Sequence, residues 1–299
     1  MMRVSLLALL AVGAIPPSAA SAFDLGNGLA VTGSVKLEYD KYESDDTAVL
    51  DADLGLSWRS GGLIGFDAAL DSTYIGDSDE DLTNIWAALV FSTDMGEFSV
   101  GAPRPVVESM AVLPRFGTSR LLDLETSFAR GPLSTAAGFE DNGFAPGLAF
   151  TGQSGSVSYG LSYHRFEIGG DDLDLIQGVM NYSNGATTLF ISGELGDLLS
   201  VDPSVVKIGG LYSADVYSFG GELARVDYGS EGITTGRLFG TYDVMPELTV
   251  KGDMLLIENS ENIYSLGAEY RFGQVGFVEG GASFVDNDQI YDIGVGLKF

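Results

Sequence analysis

Residues Tyr291 to Phe299 read Y-D-I-G-V-G-L-K-F. Tyr291, Ile293, Val295, Leu297 and Phe299 share one parity, and Asp292, Gly294, Gly296 and Lys298 share the other. This is the period of two expected of a strand with one apolar face. The last residues of a soluble domain are usually frayed and polar. A final strand this apolar on one side needs an apolar medium against it.

The same pattern recurs along the chain. In L-A-V-T-G-S-V-K-L-E-Y, Leu29, Val31, Val35, Leu37 and Tyr39 oppose Thr32, Ser34, Lys36 and Glu38. In L-D-A-D-L-G-L-S-W-R, Leu50, Ala52, Leu54, Leu56 and Trp58 oppose Asp51, Asp53, Ser57 and Arg59. In N-I-Y-S-L-G-A-E-Y-R-F, Tyr264, Leu266, Ala268, Tyr270 and Phe272 oppose Ser265, Glu269 and Arg271. Runs of about ten residues are what a tilted strand needs to cross a bilayer. Opposite charges sit together on the polar face, so that face is wet, as in a barrel with an aqueous lumen. Lys36, Glu38, Arg59, Glu269 and Arg271 are therefore expected on the lumen wall. Tyr39, Trp58, Tyr270, Phe272 and Phe299 lie at strand ends, where aromatic girdles sit.

Composition agrees with two segregated surfaces. Apolar residues make up 45% and mean hydropathy is +0.18, yet the chain has 42 Asp+Glu against 15 Lys+Arg. Such acidity argues against a nucleic-acid partner, which requires a basic face. With no cysteine there is neither a disulfide framework nor a thiolate metal site.

At the front, Met1 to Arg3 form a positive n-region, followed by an apolar run from Val4 to Ile15 and a small-residue stretch closing on Ala22. This reads as a secretory signal over residues 1–22, too short to span a bilayer that needs about 20 apolar residues. The barrel domain is then 23–299, with Arg3 removed and a net charge of −28. Short turns such as Ser60-Gly61-Gly62, Arg130-Gly131-Pro132 and Ser183-Asn184-Gly185 alternate with longer acidic segments. These include Tyr42 to Thr47, Gly76 to Asp81, Gly169 to Asp172 and Gly196 to Ser204. Pairing turns with strands predicts an all-β, transmembrane antiparallel barrel of 16–18 strands, a width that encloses an aqueous channel.

One connection breaks the rhythm: G-A-P-R-P-V-V-E-S-M-A-V-L-P-R-F-G-T-S-R, from Gly101 to Arg120. It is too apolar to wave in solvent and is expected to fold into the barrel and pack there. Gly then Arg after a strand, V-V-E, and L-P-R-F-G resemble the third loop of the general (trimeric) outer-membrane porins of Gram-negative bacteria. The stretch from Tyr264 to Phe299 is similar to the alphaproteobacterial type.

The resemblance implies a water-filled channel for passive diffusion of small hydrophilic solutes and ions. It also implies a homotrimer, contact with outer-membrane lipid and lipopolysaccharide, and a terminal Phe299 read as an assembly signal by the barrel-insertion machinery. It makes the third loop the pore constriction. Arg104 stands for the arginine after the strand, Glu108 for a loop carboxylate, and Pro114, Phe116 and Gly117 for the loop tip. Arg115 departs from the pattern, since enteric porins commonly place a glutamate there. Asp123 and Glu125, with the inward parity expected of the next strand, would supply acid from the wall, and Arg120 would join either side. Three bases against three acids leave the acidic mouth to set a mild cation preference.

Other chemistry is weaker. His164 is the only histidine, with lumen-facing parity; no nucleophile or orienting group is spaced around it as a hydrolase requires, so no enzymatic activity is expected. The acidic tracts Asp77 to Asp81 and Gly169 to Asp174 are oxygen-rich and suited to Ca²⁺, though without EF-hand spacing. The alternatives are a substrate-specific channel, which needs aromatic residues along the lumen, and a surface structural or adhesive barrel without a conducting pore. Of the aromatics placed by parity, only Phe239 and Phe277 point inward.

Overall fold

The computed structural model describes residues 23–42, 45–76, 80–131, 133–140, 144–197, 202–229, 231–286 and 288–299. The expected signal segment and most of the acidic tract after Gly76 lie outside them. The described chain begins with β1 (Phe23–Gly26), β2 (Leu29–Tyr42), β3 (Asp45–Arg59), β4 (Ile64–Ile75), β5 (Glu80–Thr93) and β6 (Gly96–Ala102). Three helices follow: α1 (Val106–Ser109), α2 (Arg120–Arg130) and α3 (Leu133–Glu140). Strands resume with β7 (Gly147–Ser154), β8 (Val157–Ile168), β9 (Asp171–Asn184), β10 (Thr187–Asp197), β11 (Pro203–Ser213) and β12 (Tyr217–Tyr228). The last are β13 (Glu231–Met245), β14 (Leu248–Ile257), β15 (Ile263–Phe272), β16 (Gly276–Val285) and β17 (Asp288–Lys298).

From β2 to β17 each strand pairs antiparallel with the next, and β17 pairs back onto β2 from Lys298↔Ser34 to Ile290↔Tyr42. The result is a closed barrel of 16 strands. β1 does not add a seventeenth position around the ring. It pairs with the start of β2 (Phe23↔Val31, Asp24↔Ala30), on the side of β2 that β17 occupies further along. The two pieces meet end to end. The Phe299 N–H donates to the Gly33 carbonyl at 2.8 Å, the Gly33 N–H donates back at 2.6 Å, and the Phe299 ring stacks on Phe23 at 5.2 Å.

The higher strand count fails at one place. Residues 120–130, read from sequence as a wall strand ending in a turn at Arg130-Gly131-Pro132, form helix α2. Ser119 caps it, its hydroxyl accepting from the Leu122 N–H at 3.2 Å, and Asp123 sits in the first turn. Leu122, Thr126 and Ala129 follow at helical spacing, and Leu122 and Ala129 pack against the barrel wall at Leu255 and Ile263. The acidic connections are also shorter than expected. β9 starts at Asp171 and β3 at Asp45, so the ladder extends into both tracts.

The alternation places its faces as expected. Leu37, Tyr39, Leu161, Ile176, Ile208, Leu223, Leu266 and Ile293 are exposed on the outside, where a bilayer would cover them. Trp58, Tyr270 and Phe272 are exposed with them, and Lys36 and Glu38 face inward and are buried. Phe277 is buried as its parity suggested. Trp86, Phe116, Phe166 and Phe190 are buried too, so more aromatic rings turn inward than parity alone identified.

Gly33 is the tightest point of the seam. Its φ is +139°, and a Cβ there would collide with the Asp53 carbonyl oxygen of β3. Gly33→Ala is expected to cost about 1–3 kcal/mol in backbone strain. The measurement is the denaturant midpoint of the folded barrel, followed by heat-modifiable gel mobility; an unchanged midpoint would contradict this account of the seam.

Candidate functional site

The connection between β6 and β7 runs through the barrel interior. Its groups bond to the polar, buried faces of strands all round the ring. The Arg120 N–H donates to Glu38 on β2 at 2.7 Å, and the Thr118 hydroxyl to Asp292 on β17 at 2.8 Å. The Gly117 N–H reaches Asp253 on β14 at 3.3 Å, and Asn181 on β9 donates to the Met110 carbonyl at 3.0 Å. Apolar contacts complete the seat. Phe116 and Leu122 pack with Leu255, Ile263 and Ile290, while Leu133 and Ala137 pack with Phe166, Leu175, Val205 and Val226. The loop is apolar in sequence because it has a core of its own inside the barrel.

Charge is arranged with bases on the inward segment and acids on the wall. Arg104 makes a bidentate pair with Asp53 at 3.1 Å per bond, and its guanidinium lies 5.0 Å from the centre of the Trp86 ring. Arg115 reaches Asp51 at 2.8 Å and Asp71 at 3.2 Å. Arg120 is 4% exposed and bonds Asp51 at 3.0 Å, Asp71 at 3.1 Å and Asp123 at 3.1 Å. Bidentate guanidinium–carboxylate pairs are the strongest of the charge-assisted hydrogen bonds. Arg120 is thus neutralised where it sits, whereas the Arg115 side chain, 37% exposed, presents charge to open space.

The wall supplies one base of its own to the loop tip. Arg237 on β13 donates to the carbonyls of Pro114 at 2.8 Å and Arg115 at 3.1 Å, is paired with Asp253, and lies 5.4 Å from the Phe116 ring centre. Lower on the wall, Lys36 and Lys251 share Glu279 at 3.0 and 2.7 Å, and Lys36 also pairs with Glu38. Asp40 is buried opposite Asp292, and neither of its carboxylate oxygens has a hydrogen-bond partner.

The expected residues divide clearly. Arg104, Arg115 and Arg120 converge on one set of wall carboxylates, with Phe116 buried under Arg237. Asp123 is on helix α2, not the wall; it accepts from the Phe116 N–H at 2.8 Å and pairs with Arg120. Glu125 is also on α2, exposed and away from the arginines. Glu108 accepts from the hydroxyls of Ser134 at 3.1 Å and Thr135 at 2.8 Å, with Arg104 3.8 Å away. Arg59 pairs with Asp67 and Glu97, and Arg271 lies 3.8 Å from Glu269. Asp71, Arg237 and Asp253 were missed. Their inward parity in A-L-D-S-T, G-R-L-F and K-G-D-M was visible, but their cross-barrel partners were not.

Several voids remain between the segment and the wall. One of about 270 Å³ is bordered by Asp53, Arg104, Arg115, Lys207, Glu222 and Phe190. Another, about 610 Å³, lies between Trp86, Asp67, Glu97 and Ser109.

No protein-family model and no curated protein matches the chain. Solved structures do match. Porin variants from Rhodopseudomonas blastica superpose with TM-scores of 0.66 and 0.65, each at 20% identity, over 91% of this chain and 100% of theirs. A loop-deleted OmpT, an outer membrane protein of Vibrio cholerae, superposes with a TM-score of 0.65 at 14% identity, over 91% of this chain and 99% of its own. The fold is that of the porins. The connection between β6 and β7 is the third on its side of the ring, and it runs on past Arg120, where the sequence reading expected a strand.

Removing one partner of a buried ion cluster strands the others, at about 3–5 kcal/mol. Arg120→Ala would leave Asp123 without its guanidinium and Asp51 and Asp71 with Arg115 alone, and should lower the unfolding free energy by up to that amount. Asp40→Asn, which relieves a carboxylate without partners, should raise it by about 1 kcal/mol. The reverse order of the two variants would contradict the burial described here.

Proposed function

We propose that the protein is a non-enzymatic outer-membrane diffusion channel for small hydrophilic solutes and ions, sieved by its inward third loop. The observation that carries this is a ring with a charged lumen whose inward segment leaves solute-sized gaps lined by unburied charge. Contact with lipopolysaccharide, Ca²⁺ held at the acidic tracts and bridging to its phosphates, homotrimer formation, cleavage after Ala22 and recognition of Phe299 during insertion belong to the same reading. So does membership of the alphaproteobacterial type, on the strength of the loop and terminal resemblances.

At physiological salt exposed charges are screened beyond about 8 Å. Selectivity therefore follows the local groups, chiefly Arg115 and Arg104 against Asp53 and Glu222. With the sides balanced, the acidic mouth gives a mild cation preference. In planar bilayers the purified protein should open in large steps, often in threes, with a reversal potential of cation-selective sign. Arg115→Ala should shift that potential further toward cations. A folded barrel that leaves the membrane silent would overturn the channel reading in favour of an adhesive or structural barrel.

Glu108 adds a dependence on pH. Burial pushes its carboxyl up to about 7, against the opposing pull of Arg104 and the Thr135 hydroxyl. The folded protein then holds this proton more tightly than the unfolded chain. Its contribution to stability falls as pH rises from the ordinary value of 4.5 through about 7. The folded site gains its negative charge around pH 7, so cation preference should grow between about pH 6 and 8 and stay flat in Glu108→Gln. An identical pH profile in the variant would place the titrating group elsewhere.

A second reading rests on the inward Trp86 and Phe190 beside Val107, Met110 and Leu113. These give the passage one apolar bank, which a substrate-specific channel would use. Saturation of current by a single solute class, measured in the same bilayers, would favour it.

A further inference from the structure

His164 on β8 is fully buried at the lumen wall. Its Nε2 is 2.7 Å from the carbonyl oxygen of Pro103, where the inward segment begins, and its Nδ1 is 3.1 Å from Oε1 of Gln177 on β9. Both neighbours are acceptors. Gln177 is tied on its other sides: its Oε1 accepts from the Ser162 hydroxyl at 2.5 Å and its Nε2 donates to Glu194 on β10 at 3.1 Å. Glu194 in turn accepts from the N–H groups of Leu133 at 2.5 Å and Ser134 at 3.2 Å, the first turn of α3. Ser162 also accepts from the Val106 N–H at 3.2 Å. One buried chain of contacts therefore joins the entry of the inward segment to its last helix across three adjacent strands.

A neutral imidazole has one N–H and one lone pair. Between two acceptors it leaves a lone pair facing an oxygen, and buried unsatisfied contacts of this kind are costly. Two arrangements satisfy every contact. In the first the ring carries hydrogens on both nitrogens and Glu194 is ionised. In the second the Gln177 amide is turned over, its NH₂ donates to Nδ1, and Glu194 carries the proton and donates to the amide oxygen. Each holds one proton more than neutral His164 beside ionised Glu194.

We propose that His164, Gln177 and Glu194 form a one-proton latch that positions both ends of the inward segment, and that loss of this proton loosens them together. The ring itself is surrounded by uncharged groups: Gln177, the Pro103 carbonyl, Phe166 at 6.0 Å and Gly147, whose missing side chain leaves room for the imidazole. Charged and titratable groups act on the other end. Lys207 on β11 and Glu108 on α1 act on Glu194, which acts in turn on Tyr228 of β12. Arg104, next to Pro103, is held by Asp53. The effect of the latch on current rests on the channel reading; the proton and the loop attachment do not.

The single histidine makes the test direct. The full protein, folded in detergent with ¹⁵N-labelled histidine, gives one pair of ring-nitrogen signals, followed from pH 5 to 9. Those signals should change at one pH, and amide protection at Arg104, Val106, Leu133 and Ser134, taken relative to the intrinsic base-catalysed exchange rate, should fall about tenfold at the same pH. Glu194→Gln offers the donor of a protonated carboxyl at every pH and should keep loop protection flat, whereas Glu108→Gln should keep the wild-type response. Ring and loop changing at different pH, a flat wild type, a Glu194→Gln protein matching wild type, or loss of the response in Glu108→Gln would each overturn the latch. A protein that passes these tests yet carries no current would retain the latch and lose the channel.

Discussion

A backbone amide placed in hydrocarbon has no water to bond, and each unsatisfied group there costs several kcal/mol. For an extended chain the only full remedy is a sheet without edges. The pairing of β17 with β2 supplies it, and the rest of the architecture follows from that closure. The ring fixes which side chains face lipid and which face the lumen, and the period of two in the sequence is the imprint of that choice. It also encloses a polar surface wide enough to admit a second layer of chain.

That second layer is held by electrostatics of an uncommon polarity. The segment brings arginines and the wall brings aspartates, so Arg104, Arg115 and Arg120 each meet a carboxylate within hydrogen-bonding distance. A buried guanidinium on one carboxylate is only weakly favourable after desolvation. Arg120 on three carboxylates, with its own N–H on a fourth, is a network in which no member is stranded. The groups left partly open, Arg115 above all, face the unfilled part of the lumen. Buried attachment and open charge are thus divided between neighbours on the same short stretch.

Much of this was legible in the residues. Alternation in L-A-V-T-G-S-V-K-L-E-Y revealed β2 and the inward pair Lys36 and Glu38. The apolar, non-alternating run after Gly101 revealed a loop that had to be packed. The helix at 120–130 was missed because Asp123 and Glu125 also fit a strand's parity, the rhythm of the strands around them. Partners such as Arg237 with the Pro114 carbonyl were beyond reach for another reason. They join residues far apart in sequence across an open lumen, and no local pattern encodes which inward groups meet there. Aromatic count along the lumen was underestimated likewise, since Trp86 and Phe190 sit in strands whose register only the folded ring reveals.

The seam between β2 and β17 has a consequence for the order of events during folding. Most neighbouring pairs of strands join segments close in sequence, and β6 and β7 are parted only by the inward segment, but this one joins residues 34–42 to residues 290–298. Closing so long a loop carries a large entropic cost, and contacts of high sequence separation are the slow ones to form. Until that last pair zips, β2 and β17 are two open edges, each a template for a neighbouring chain. The molecule thus spends its vulnerable time as an unsealed sheet, and whatever holds its two ends together first sets the pace of its birth.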